Sequence, residues 1–352
     1  MKKRVWILCV MTAVLIGVAT ACSTDASVRD DKQNQKKNVL YLDGDEVTED
    51  EYALLAAEYK NQVAMQYSTE QVNSDDFWET EIDGETPVSK LEELILDQLK
   101  YNYAVKHLAV EADVIEDYTY AELQDEREGE NQERSGQLEN EETVYGLTSY
   151  DDSAYYNYWY SNLETQWKNS WILENTDITE TDCRNYYEDH MEEYTYHTGV
   201  TVIYAELPYD SEAERGKMQN TGLSLSHALE SSHDLKEIKE AFPEVDFEEL
   251  ELNDLDTQEG MSGVYTQRWQ IASQMEKGQV FGPYEGDGAV CVIKCIDRTE
   301  NGELGFDGVK SRIKRLLQVE TANQCISGTV EKMKVEDGGI STESVILKTV
   351  SN

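Results

Sequence analysis

The chain has 352 residues, 72 of them acidic and 30 basic, for a net charge of −42. This balance argues against nucleic acid as a partner, because phosphate binding needs Lys and Arg to release counterions, and against a basic surface for anionic headgroups. Apolar residues make up 39% of the chain, with 22 Tyr and only 4 Pro, which suits a folded, helix-rich protein of two or three domains.

Lys2-Lys3-Arg4 is followed by an apolar run from Val5 to Val18 and then by Ala19-Thr20-Ala21-Cys22. The run is short for an ordinary transmembrane helix and carries the flanks of a secretory signal. It resembles the lipobox of bacterial lipoproteins, in which the signal is removed and the new N-terminal cysteine is acylated; Ala19 stands where that pattern usually has Leu. An uncleaved anchor, or an ordinary signal with a chance cysteine, is the alternative. The lipoprotein resemblance implies a signal peptide over 1–21, lipidation at Cys22 and a polar, flexible tether over 22–38. Loss of Lys2, Lys3 and Arg4 would take the net charge from −42 to −45. Acyl chains rather than a basic patch would then hold the protein at the outer face of the bacterial cell membrane.

Val39 to Leu42 reads as a short strand and Asp43-Gly44 as a turn. Thr48 with Glu51 forms a capping-box pattern for a helix reaching about Tyr67. A second helix is expected from near Ser89, capped with Glu92, with Leu91, Leu94, Ile95, Leu99, Val105 and Leu108 on its apolar side. Glu122 to Glu142 is acidic without an apolar stripe and reads either as a solvated helix or as a mobile loop. Tyr145 to Trp171 is dense in aromatics, which form a core or line a groove. If they line a groove, Tyr155, Tyr158 and Trp159 are the candidate client-binding residues. A further helix begins at Thr179-Glu180-Thr181-Asp182.

Val200 to Leu207 reads as a strand and Ser211 to Leu229 as a helix weakened by Gly216 and Gly222. Phe247 to Leu252, Gly263-Val264-Tyr265 and Ala289 to Ile296 are further strand candidates, with Gly282-Pro283 as a turn between the last two. Phe306 to Met333 reads as one long helix whose Lys310, Arg312, Lys314 and Arg315 are expected to pair with the acidic N-terminal helices. Ser344 to Val350 reads as a strand able to pair with Val39 to Leu42.

Beyond Cys9 and Cys22 the cysteines are Cys183, Cys291, Cys295 and Cys325. Four residues along one strand separate Cys291 and Cys295 by roughly 13 Å, too far to bridge. Any other pairing stays open. No zinc spacing, nucleophile elbow, H-E-x-x-H, P-loop or dinucleotide fingerprint is present, so neither a metal nor a cofactor is expected.

The order of lipobox, short strand, helical region, α/β module and returning helix resembles the extracytoplasmic parvulin-type foldases, the PrsA/SurA-like group. Glu276 to Ile296 carries the resemblance most closely, with its Gly-Gln-Val-Phe-Gly-Pro turn and a final strand, together with the Gly260 to Tyr265 run. The resemblance implies an α+β fold: a helical chaperone-like domain over 39–194, a parvulin-like domain over 195–300, and a C-terminal helix and strand over 301–352 returning to the first. In that family two histidines lie on neighbouring strands, with a Cys or Asp between them and Met and Phe lining a proline pocket. Carried over, the first falls near Tyr204 and the second on Cys291, with Tyr265 and Trp269 beside them, so both histidines are replaced. The implied function is a lipid-anchored foldase or chaperone acting on unfolded or nascent secreted polypeptides, its isomerase weak or inactive. An isomerase with an altered site and a non-catalytic surface-binding lipoprotein are the alternatives.

Overall fold

The computed structural model describes residues 38–351 apart from 232–233, 256–262 and 287, and leaves out the side chains of 263–265. Cys22 and the N-terminal signal lie outside the described residues.

β1 (Leu40–Leu42) and β2 (Asp45–Val47) form a hairpin. Its two-residue turn places Asp43 at φ 51 and Gly44 at φ 103, the left-handed pair that matches strand twist. Thr48 caps α1 (Glu49–Ala64) by accepting from the Glu51 amide at 3.2 Å. The expected capping box is only half formed. The Glu51 carboxylate turns into the core, where it accepts from the Tyr103 and Tyr156 hydroxyls at 2.9 and 3.0 Å.

α2 (Thr69–Val72) is one turn closed by a Ser68/Gln71 box. α3 (Pro87–Glu111) starts at Pro87, ahead of the expected Ser89, because Thr86 caps it and proline fits a first turn that needs no amide. Leu91, Ile95 and Leu99 lie on one face and are fully buried, each contributing roughly 1.5–3 kcal/mol. The acidic stretch resolves into a helix, α4 (Tyr120–Glu139), closed by a Thr119/Glu122 box and burying Leu123 alone. α5 (Asp152–Asn175) buries Tyr155, Tyr156, Tyr160, Leu163 and Trp167, so most of its aromatics are core. α6 (Glu180–Asp189) begins at the Thr179/Asp182 box.

β3 (Thr195–Pro208), α7 (Glu212–Ser231), α8 (Leu235–Ala241), β4 (Asp246–Asn253), α9 (Gly263–Ala272), β5 (Val280–Gly286) and β6 (Ala289–Glu303) follow. The four strands form an antiparallel sheet of order β4-β3-β6-β5. Gly263-Val264-Tyr265 is thus the first turn of a helix, not a strand. Gly282-Pro283 lies inside β5, with a cis bond and a register irregularity, rather than between strands.

α10 (Phe306–Lys332) returns along the chain. Its Phe306, Val309 and Ile313 pack with Cys183, Tyr187 and Tyr194, and its Ala322 and Ile326 enter the core of α1, α3 and α5. Lys310 pairs with Glu180 of α6, Arg315 donates to Asn169 of α5 at 2.8 Å, and Arg312 lies 5.5 Å from the Tyr194 ring. β7 (Val335–Asp337) then joins β1 antiparallel, giving the sheet order β2-β1-β7.

The last run is α11 (Thr342–Val350), a helix where a strand was expected. Ser341 caps it, Val345 and Ile346 are buried in the first core, and Lys348 pairs with Glu49 at 2.7 Å. Packing against α1 and α3 overrides the β-preference of its branched residues. Among the described residues no helix is long and apolar enough to cross a membrane, and no group of His, Cys, Asp and Glu is placed to hold a metal ion.

Candidate active site

Both faces of β3 are buried, which explains its nearly continuous apolar run. Val200, Val202 and Tyr204 point to one face with Cys291, Ile293 and Cys295 of β6. Ala205 and Leu207 point to the other with Val290 and Val292, under Leu225 and Leu229 of α7 and Ile238 of α8. The first face is covered by Trp269, Ile271 and Ala272 of α9 and by Met275.

On the α9 side Tyr204 pairs in register with Ile293, two residues from Cys291. That diagonal offset lets a long side chain reach across the strands. The Tyr204 hydroxyl lies 2.9 Å from the Cys291 sulfur, and both residues are buried. Tyr284 of β5 packs into the same cluster. The Arg268 guanidinium lies 3.8 Å from the Tyr204 ring centroid, a cation–π stack. Its Nη1 is 4.0 Å from a Glu248 carboxylate oxygen, and its buried Nε has no hydrogen-bond partner among the described residues.

Burial pushes the Cys291 thiol up, against a smaller downward pull from the Tyr204 hydrogen bond. Burial, then the contact with Cys291, pushes the Tyr204 phenol up as well. Both therefore stay protonated at neutral pH. The pair offers neither a thiolate nucleophile nor a phenolate base, since the reactive form of cysteine is the anion. What the site does offer is a closed apolar cluster and a guanidinium whose Nε is without a hydrogen-bond partner among the described residues.

The fold brings Tyr204, Cys291 and Trp269 together. Tyr265 falls in the first turn of α9, its side chain outside the described residues. The client-binding candidates separate. Tyr155 is buried in the helical core and is not a surface residue, because α5 turns that face onto its neighbours. Trp159 is half-buried, 4.2 Å from the Tyr118 ring, and donates to Glu126 at 3.1 Å, whereas Tyr158 is exposed. Sequence reasoning missed Arg268 and Tyr284. Reading 263–265 as a strand hid the helical phase that carries Arg268 onto Tyr204, and Tyr284 sits just past an irregular Gly-Pro pair.

Residues 178–311 match the PPIC-type PPIase (peptidyl-prolyl isomerase) domain. They form a parvulin-type domain. The sheet of this parvulin domain runs from Thr195 to Glu303, and α6 and the start of α10 also fall within the match. Among solved structures, the chain is similar to one from work on the SurA-like chaperones PEB4 and Cj1289 of Campylobacter jejuni, at 10% identity over 85% of this chain and 98% of that one, with a TM-score of 0.32. The foldase PrsA of Lactococcus lactis is 14% identical over 89% and 99% of the two chains, with a TM-score of 0.28. The peptidylprolyl isomerase PrsA of Bacillus anthracis is 16% identical over 67% and 96%, with a TM-score of 0.19. No curated protein matches the chain.

Proposed function

We propose that the protein is a lipid-anchored extracytoplasmic foldase or holdase for secreted polypeptides, whose parvulin domain binds chains but isomerises X-Pro bonds weakly or not at all. The observation that carries this reading is the buried contact between Tyr204 and Cys291 in a PPIC-type domain. Rotation about an X-Pro bond faces a barrier of about 20 kcal/mol. A site lowers it only through interactions stronger in the twisted amide than in the planar one. A phenol and a thiol that satisfy each other, stay neutral and lie buried under α9 supply little of that difference.

In this reading residues 39–194 and 301–352 form the helical body, 195–300 the parvulin insert, and Cys22 the acylated anchor at the end of a polar tether. The signal run before Cys22 supports the location, and the chain's acidity favours clients with basic segments. In-cell crosslinking tests it. Many exported polypeptides should be recovered; a single dominant partner would instead fit a surface-binding lipoprotein.

A second reading, an isomerase with an altered site, is favoured by Arg268, whose guanidinium stacks on Tyr204 and whose Nε has no hydrogen-bond partner among the described residues. A protease-coupled proline-peptide assay separates the two. Equal rates with and without the protein end the second reading, and a rate lost in Cys291→Ala supports it.

A further inference from the structure

We infer that the arm made of α4, the following loop and the start of α5 is a docking surface for unfolded segments that combine basic with aromatic or aliphatic residues. This deepens the foldase reading and rests on it. Four large apolar side chains crowd the far end of the arm: Tyr145 is 86% exposed, Leu147 53%, Leu138 47% and Tyr158 46%. Isolated exposed apolar residues are ordinary, but a contiguous group of them marks an interaction surface.

Hydrogen bonds, ring contacts and helix spacing gather these four positions around Arg134. Arg134, one turn before Leu138 on α4, donates to the carbonyls of Tyr145 and Leu147 at 3.1 and 2.6 Å. Its guanidinium also lies 4.8 Å from the Tyr150 ring, which stacks on Tyr158 at 5.2 Å. Asn131 exchanges hydrogen bonds with the Tyr150 backbone, accepting from its amide at 2.7 Å and donating to its carbonyl at 2.8 Å. The loop is therefore tied down before anything binds, which lowers the ordering cost of association.

Charge complementarity selects the occupant. Between Glu122 and Glu142 there are nine acids and two arginines. Both arginines are taken up inside the arm, Arg127 by Asp152 at 2.9 Å and Arg134 by Glu130 at 2.7 Å and by the loop carbonyls. The exposed rim is thus anionic, so a basic, apolar-bearing strand finds an apolar contact framed by opposite charge, whereas an acidic one is repelled.

The test uses the whole protein and three fluorescent twelve-residue peptides, Lys/Leu, Glu/Leu and Lys/Ser alternations, read by anisotropy. The Lys/Leu peptide should bind at least tenfold tighter than either control, and more weakly as salt rises. Tyr145→Ser/Leu147→Ser/Tyr158→Ser should lose at least tenfold in affinity with an unchanged circular dichroism melt, and the charge variant Glu133→Lys/Glu139→Lys/Glu142→Lys should lose a comparable factor. Unchanged binding in both variants overturns the inference, as does a dimer in sedimentation that only the apolar variant abolishes, since the patch would then hold a second copy. Aggregation suppression separates the two levels. If the wild-type protein suppresses it and both variants do so equally, only this inference falls; if the wild-type protein does not suppress it, the foldase reading falls.

Discussion

The hydroxyl of Tyr204 and the thiol of Cys291 lie 2.9 Å apart across two central strands, where the family resemblance places two histidines. Each satisfies the other in a buried setting, so the contact acts first as a structural bond. Cys291→Ala should cost about 1–2 kcal/mol in urea unfolding, through a lost hydrogen bond and a small cavity. It should leave the background rate of proline isomerisation unchanged.

Glu51 is fully buried, and burial holds its carboxyl at about 7 despite the hydrogen bonds from Tyr103 and Tyr156. The folded state thus holds this proton more tightly than the unfolded chain, whose value is near 4.5. Stability contributed at this position therefore falls as pH rises from about 4.5 to 7, by on the order of 3 kcal/mol in total. Glu51→Gln removes the charge. Its amide can donate to the Tyr103 oxygen while that hydroxyl donates to the Glu46 carbonyl 3.1 Å away. The stability of the variant relative to wild type should therefore rise between pH 5 and pH 8 in denaturant titrations, and a difference independent of pH would contradict this. Asp45 works in another window. His107 and Lys106 hold its carboxyl down to about 2, so its contribution is lost only as pH falls below about 4.

Two glycines in α7 invite opposite outcomes. A Cβ on Gly222 would meet Pro283 Cβ at 2.9 Å and Val290 Cγ1 at 3.1 Å, whereas one on Gly216 meets nothing within 4 Å. Gly216→Ala should stabilise the protein by roughly 0.5–1 kcal/mol through helix propensity. Gly222→Ala should destabilise it by roughly 1–3 kcal/mol through overpacking, although the local propensity gain is the same. Thermal melts of the two variants give the comparison.

Cys183, Cys291, Cys295 and Cys325 are free, the first three buried and Cys325 half-buried. Iodoacetamide on the native protein should label Cys325 before the other three, with mass spectrometry locating the adduct. Prior labelling of Cys291 would show that the parvulin site is more open than its packing implies.

How much of this was legible in the sequence follows from which forces set each element. Threonine caps at 48 and 179 and the mostly apolar strand at 200–207 were readable because local chemistry and burial point the same way. Ser344 to Val350 reads as a strand because its branched residues favour one, while packing against α1 and α3 holds it helical, and Gly263-Val264-Tyr265 is too short a run to show the helical period of α9. Glu51 fitted a capping box by spacing, yet two tyrosines from distant helices draw its carboxylate inward. Its phase with Leu55, one turn on, was the available clue. In the site, Tyr204 and Cys291 were reachable by resemblance, but Arg268 needed the helical phase of α9.

The most direct test of the foldase account is light scattering of a denatured secretory protein diluted into buffer with the purified protein at equal molar concentration. The account predicts strong suppression of scattering, undiminished in Cys291→Ala. Scattering equal to that of the client alone would contradict it.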